Sequence, residues 1–301
     1  MLYVTSYHSQ MGMTQTWFNS GVDKCFVPSD ALYQCAIDRN VKPEQIVQHG
    51  LPIRRGFWGE NLPDVTKIIS DSPKSGNSNI FADIFGRFSK EKDNKKILLN
   101  EESNIKNSMR SKLSLEVDTL TALVVGGGDG MGGIISTAQC LGDQLSKKSS
   151  ETQRYQMVVV CGNNKDAKET LSSYEWGENI SVNVQGFVNN MDEWMRASDV
   201  IVTKAGPGTI AEASICGLPC LLSSYLPGQE EGNVPYVEDN NFGTYCGDPN
   251  EIASTVVSWL NEPEMLSKMQ ASALKAARPS ATIDIAKDLA DILFESVINR
   301  R

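Results

Sequence analysis

Val200-Ile-Val-Thr-Lys-Ala-Gly-Pro-Gly-Thr-Ile-Ala-Glu-Ala213 compresses a strand, a glycine turn and a helix start into one short stretch. Val200-Ile-Val-Thr203 is a continuous apolar, β-branched run, the pattern of a strand covered on both faces. Gly206, Gly208 and Thr209 then fall at the start of a helix, where backbone amides without intrahelical partners can hold a diphosphate. Glu212 follows one helical turn beyond Gly208, where a carboxylate can accept hydrogen bonds from both hydroxyls of a ribose. The plainer alternative for Glu212 is a helix-start acid that interacts with the helix dipole.

Working outward, the same alternation of strand and helix recurs. Thr121-Ala-Leu-Val-Val125 runs into Gly126-Gly-Gly-Asp-Gly-Met-Gly-Gly133 and then a helical stretch to about Lys147. Gln156-Met-Val-Val-Val-Cys161, Ile180-Ser-Val-Asn-Val184 and Pro219-Cys-Leu-Leu222 are further short apolar runs. Strands buried on both faces, separated by helices, predict a parallel sheet in a doubly wound α/β domain. Gly128, Gly130 and Gly133 satisfy the G-x-G-x-x-G spacing of dinucleotide folds. The carboxylate that should end the second strand is replaced by Cys161-Gly-Asn-Asn164, which argues against NAD. Further on, Tyr225-Leu-Pro-Gly-Gln-Glu-Glu-Gly-Asn233 gathers amide and acid side chains in one loop, as a hexose requires. A solvated acidic turn is the alternative there.

Composition narrows the function classes. The chain has 301 residues, 40% of them hydrophobic and 22% charged, enough for a packed core and about two domains. A net charge of −9 argues against nucleic acid as the main partner. No apolar run reaches the roughly 18 residues needed to span a bilayer, and Met1-Leu2-Tyr3-Val4-Thr5 has no signal-like pattern. Cysteines stand singly from Cys25 to Cys246, and no His or second Cys pair near Cys216 and Cys220 completes a zinc site. Reduced thiols are expected.

The first 60 or so residues read differently. Cys25-Phe-Val-Pro28 and Ile46-Val-Gln-His-Gly50 are strand-like, with a helical stretch from Asp30 to Arg39 between them. One or two such βα units are too few for an independent core, so they read as the tail of a second Rossmann-like domain. A polar stretch at about 70–103 follows as an insertion, within which Phe81, Ile84, Phe85 and Phe88 fit one amphipathic turn. A helix is expected from Ile105 to Leu115. At the far end, Ile283, Ile285, Leu289, Ile292, Leu293 and Val297 predict a final amphipathic helix over Ala281 to Ile298.

Taken in order, Gly126-Gly-Gly-Asp-Gly-Met-Gly132, Met157-Val-Val-Val-Cys-Gly-Asn163, Gly186-Phe187, Thr203 to Ala213 and Tyr225 to Tyr236 resemble the monogalactosyldiacylglycerol synthases. The resemblance is strong over about 119–290. It is thinner over Thr16-Trp-Phe18, Gly21-Val22 and Gly50-Leu-Pro-Ile-Arg54. It implies a GT-B fold of two Rossmann-like domains, of which the first is incomplete here. It also implies transfer of galactose from UDP-galactose to the free hydroxyl of diacylglycerol at a plastid membrane, with inversion at the anomeric carbon and no metal. On the resemblance, Gly127 and Gly128 lie near the phosphates and Phe187 lines the uracil slot. Gly206, Pro207, Gly208 and Thr209 face the diphosphate, and Glu212 the ribose. Gln229 and Glu230 contact the galactose, with Asn233 close by.

The resemblance divides the chain into a remnant of the acceptor domain at 1–62 and a linker with its insertion at 63–118. A UDP-sugar-binding domain at 119–278 and a terminal helix at 279–301 follow. The general base and much of the lipid-binding surface are expected upstream, so no catalytic residue is assigned. His8 does not match the position of the family base, and His49 reads as a structural residue on the hinge side. A transferase using UDP-glucose or UDP-N-acetylglucosamine, or a non-catalytic nucleotide-sugar-binding subunit, remains an open alternative.

Overall fold

The computed structural model describes residues 2–4, 18–58, 105–126, 133–150, 153–227 and 229–298. His8, the insertion at about 70–103, and Gly127 and Gly128 lie outside them. Two parallel sheets organise the described residues. The smaller has β1 (Leu2–Val4), β2 (Lys24–Val27) and β3 (Ile46–Gln48) side by side in that order, with α1 (Asp30–Asp38) crossing between β2 and β3. The Ser29 hydroxyl caps α1 by accepting from the Leu32 amide. β1 was not apparent from the sequence, since three residues carry no readable period.

The larger sheet contains β4 (Leu120–Val125), β5 (Tyr155–Val160), β6 (Ile180–Gln185), β7 (Val200–Lys204), β8 (Cys220–Ser224) and β9 (Gly243–Tyr245), ordered β6-β5-β4-β7-β8-β9 and parallel throughout. The expected strands are there, each within a residue or two of its predicted place. Pleating divides their side chains between two layers. Ala122, Val124, Met157, Val159 and Val202 face one layer, packed with Leu141 and Leu145 of α3 (Ile134–Lys148) and Ile252 and Val256 of α8 (Pro249–Asn261). Leu123, Val158, Val160 and Ile201 face the other, with Trp194 of α5 (Met191–Ala197) and Ile210 of α6 (Pro207–Ile215). Every residue of β5 is buried, which explains why its sequence reads Met-Val-Val-Val without alternation. Residues 105–112 form α2, and Lys165–Ser172 form α4.

Beyond β8 the structure adds α7 (Asn233–Asp239), β9, α8 and α9 (Pro263–Ala276), which no strong apolar pattern marks individually in the sequence. Strand β9 depends on Gly243, because a Cβ there would stand 1.9 Å from the Cys220 carbonyl oxygen. The final helix α10 (Ala281–Ile298) occupies its predicted span. It returns to the N-terminal unit. Thr282 Oγ1 accepts from the Ile53 amide at 2.9 Å and donates to the Ile53 carbonyl at 3.1 Å, and His49 Nε2 lies 2.8 Å from Asp288 Oδ2.

A buried charge network anchors α2 under the large sheet. Arg110, 5% exposed, donates to the carbonyls of Ala197 and Val117 and to Asp199 Oδ2, at 2.9, 2.7 and 2.7 Å. Asp199 also accepts from Lys106 Nζ at 2.6 Å and from the Thr121 amide at 2.7 Å. Truncating one partner strands the other charge in the interior. Arg110→Ala is therefore expected to lower stability by about 3–5 kcal/mol, read as a shifted urea midpoint at unchanged slope.

Candidate functional site

A parallel sheet sends all its carboxyl ends to one edge. The chain passes outward from β4 through β5 to β6, then returns to the other side of β4 for β7, β8 and β9. Loops that leave β4 and β7 must diverge to opposite faces, so a crevice opens between them. Gly126 closes β4 there, donating to the Val160 carbonyl at 3.0 Å, and Gly133, whose left-handed φ of +67° favours glycine, precedes α3.

The second glycine turn lies on the other wall. Helix α6 starts with Gly206 as its cap and Pro207 in its first turn, and no side chain caps it. A Cβ built on Gly208 would meet no atom within 4 Å, so the first turn of α6 faces open space. Uncapped amides at the positive end of a helix dipole in an open crevice form an anion-accepting surface.

Charged residues around this turn are paired. Glu212, 6% exposed, faces Arg54 of the N-terminal unit. The guanidinium donates from Nε to Oε1 and from Nη2 to Oε2, both at 2.7 Å. Hydrogen bonding to Glu212 holds the Arg54 pKa above its usual value against the opposing effect of burial, and Asp192 reinforces it. The Arg54 guanidinium also lies 5.4 Å from the centre of the Phe57 ring. Glu230, 4% exposed, pairs through Oε1 with Lys204 Nζ and accepts the Leu226 amide on Oε2 at 3.1 Å.

Asn233 is 1% exposed at the start of α7. Its Nδ2 donates to the Ala205 carbonyl at 2.7 Å, and its Oδ1 is buried with no partner among the described residues. Lys204, Gly206, Glu230 and Asn233 thus converge at the end of β7. The stretch from Tyr225 to Asn233 is not the uniformly solvated loop its composition suggests. Gln229 is exposed, but Glu230 and Asn233 turn inward, where Lys204 at the end of β7 supplies a cation and the next residue, Ala205, a carbonyl. Phe187 follows β6 with 65% of its surface exposed, three strands from β7 and so about 14 Å along the sheet.

Arg54 and Lys204 carry no assignment from sequence reading. Lys204 borders the glycine turn, and Arg54 closes Gly50-Leu-Pro-Ile-Arg54, but no local spacing announces a partner 158 residues away. All seven cysteines are free, and burial pushes the Cys216 thiol up to about 12. Among the described residues no group of three or more His, Cys, Asp or Glu side chains is placed to hold a metal ion, and no helix is long and apolar enough to cross a membrane. A cavity of about 500 Å³ opens at the opposite, amino edge of the sheet, where Lys106 and Arg110 both pair with Asp199.

Solved structures share this architecture. MurG of Acinetobacter baumannii superposes with a TM-score of 0.53 at 15% identity, over 93% of this chain and 64% of that one. WaaG, a glycosyltransferase involved in lipopolysaccharide biosynthesis, superposes with a TM-score of 0.50 at 16% identity, over 91% and 64% of the two chains. At such identities the likeness shows the fold alone, a GT-B-like α/β architecture with one full sheet and part of a second. Residues 121–289 match the glycosyltransferase family 28 C-terminal domain, and the chain belongs to that family.

Within the family it is similar to monogalactosyldiacylglycerol synthase 3 of Arabidopsis thaliana, with 38% identity over 96% of this chain and 53% of the relative. The monogalactosyldiacylglycerol synthase of Spinacia oleracea is 36% identical over 95% of this chain and 47% of its own length. Both relatives are described as chloroplastic. The chain spans about half the length of the curated relatives it matches.

The Arg54–Glu212 pair ties the N-terminal unit to the crevice, and its strength is measurable. Arg54 is 56% exposed on its side chain, so solvent screens the pair. A double-mutant cycle of Arg54→Gln and Glu212→Gln is expected to give a coupling of about 1 kcal/mol. A coupling near zero in thermal or urea unfolding would show that the pair does not join the two units energetically.

Proposed function

We propose that the crevice between the ends of β4 and β7 binds UDP-galactose, and that the protein transfers galactose to the free hydroxyl of 1,2-diacylglycerol at the surface of a plastid membrane. The observation that carries the donor reading is the uncapped, open first turn of α6 at the sheet's switch point. The acceptor and the sugar rest on the similarity to the monogalactosyldiacylglycerol synthases.

In this reading the Gly208 and Thr209 amides hold the diphosphate, with Gly206 and Pro207 shaping the turn. On the similarity to the family, Gly127 and Gly128 lie near the phosphates. Phe187 stacks on the uracil, its exposed ring being free to do so. Glu212 accepts the ribose hydroxyls. A carboxylate has about four acceptor positions, of which Arg54 takes two, so the hydroxyls and the guanidinium can share it. Gln229 and Glu230 contact the galactose, with Asn233 beside them. As the acceptor oxygen attacks the anomeric carbon, the departing UDP carries the negative charge. Helix amides already pointing at that charge stabilise it without reorganisation, which is the work a divalent metal would otherwise perform.

Two measurements test the donor half. Calorimetry should show UDP binding at the same affinity with and without a chelator; a strict requirement for manganese would reject the amide-cradle reading. Glu212→Gln should weaken UDP binding about tenfold to a hundredfold, the roughly 1.5–3 kcal/mol of a hydrogen bond to a charged group, while the circular dichroism spectrum stays unchanged. An unaltered dissociation constant would leave Glu212 as only the partner of Arg54.

A further inference from the structure

Lys204 is the side chain that borders both glycine turns. Residues alternate sides along β7, so Lys204 falls on the side of Val200 and Val202, whose layer carries α3, although the strand itself leads into α6. The register between β7 and β8 shifts at Thr203 and Lys204, an irregularity of the kind that re-aims a side chain beside a site. Lys204 lines a small cavity with Val125, Gly126 and Ile134, at the end of β4 and the start of α3. Toward the other turn, a Cβ built on Gly206 would stand 3.3 Å from Lys204 Nζ.

Its pairing leaves the cation open to a ligand. Lys204 Nζ donates to Glu230 Oε1, and Glu230 Oε2 is fixed by the Leu226 amide at 3.1 Å. The pair is unevenly buried, the Glu230 side chain being 5% exposed and that of Lys204 29%. An ammonium carries three N–H donors, and Glu230 is its side-chain partner among the described residues. The pairing thus withdraws the carboxylate from solvent and leaves the ammonium accessible in the crevice. The helix starts on either side supply partial positive charge, and Lys204 adds a full charge between them. Positive ends that converge from three directions suit an anion of more than one charge, such as a diphosphate.

We propose that Lys204 is a catalytic residue of the transfer, its ammonium donating to the diphosphate oxygens while Glu230 holds it in place. This rests on the donor reading above and adds a side-chain cation where backbone amides alone were assigned. In the displacement the acceptor oxygen bonds to the anomeric carbon, and its hydroxyl proton passes to a general base. The bond from that carbon to the β-phosphate oxygen breaks, and its electron pair stays on UDP. Lys204 meets the charge that collects there with a charge-assisted hydrogen bond, stronger than one from a neutral amide.

Calorimetry of the full 301-residue chain with UDP and with uridine reads this charge. Lys204→Met alone would strand the buried Glu230 carboxylate, so the main variant is the neutral pair Lys204→Met with Glu230→Gln, and Glu230→Gln alone is its control. The neutral pair is expected to lose about tenfold to a hundredfold in UDP affinity and none in uridine affinity. Glu230→Gln alone should bind UDP as the parent does, because UDP carries no sugar for Glu230 to contact. In the parent chain, the carbon-13 NMR signal of Lys204 Cε should move on adding UDP and stay in place on adding uridine. An unchanged UDP affinity in the folded neutral pair would overturn the assignment and leave the donor reading standing. Equal losses for UDP and uridine, a loss that Glu230→Gln alone reproduces, or a Lys204 signal indifferent to UDP would do the same. A parent chain that binds neither probe would reject the donor reading and the assignment with it.

Discussion

An all-parallel sheet must be wound by crossovers of one hand, and a sheet that grows first one way and then the other has a single place where the winding reverses. Here that place lies between β4 and β7. Both glycine turns flank it, and the helices they begin, α3 and α6, diverge onto opposite layers of the sheet. The crevice is thus a consequence of strand order before any side chain is considered. Lys204, Glu230 and Asn233 are gathered at the end of β7, where the strand delivers Lys204 and the segment after β8 brings Glu230 and Asn233 to meet it.

Charge placement follows the same geometry. Near the crevice, Glu212 and Glu230 are almost withdrawn from solvent, and each is held by a cation. A carboxylate so placed without a partner would be costly, and a paired one keeps acceptor positions for a ligand. The partner of Glu230 comes from the neighbouring strand, whereas that of Glu212 comes from the N-terminal unit. The Glu212 pair therefore makes the crevice sensitive to how the small sheet sits. The bonds between α10 and Ile53, and between His49 and Asp288, hold the small sheet from its other side. These few contacts connect the crevice to the small sheet.

The large sheet was legible because its strands are buried on both faces, and burial of that kind leaves continuous valine and isoleucine runs. The final helix was legible because its apolar residues keep the helical period over 18 residues. Strands β1 and β9 have 3 residues each, too few for any period to show. At 225–233 the sequence left a sugar-contacting loop and a solvated turn as alternatives, and only the fold decides burial there, since Lys204 and the Ala205 carbonyl draw Glu230 and Asn233 inside.

Sequence alone determined the alternation of strand and helix, the two glycine turns and the absence of a ribose-binding acid after the second strand, because each is a local consequence of sterics or residue type. Which turns would share a crevice was decided by strand order, a relation among segments as far apart as Gly126 and Gly206. Tertiary structure alone also decided that Glu212 meets Arg54, that Glu230 meets Lys204 and that Asn233 keeps one oxygen unpaired. Pairings across many tens of residues leave no mark on the local pattern, since desolvation and charge act through space and not along the chain.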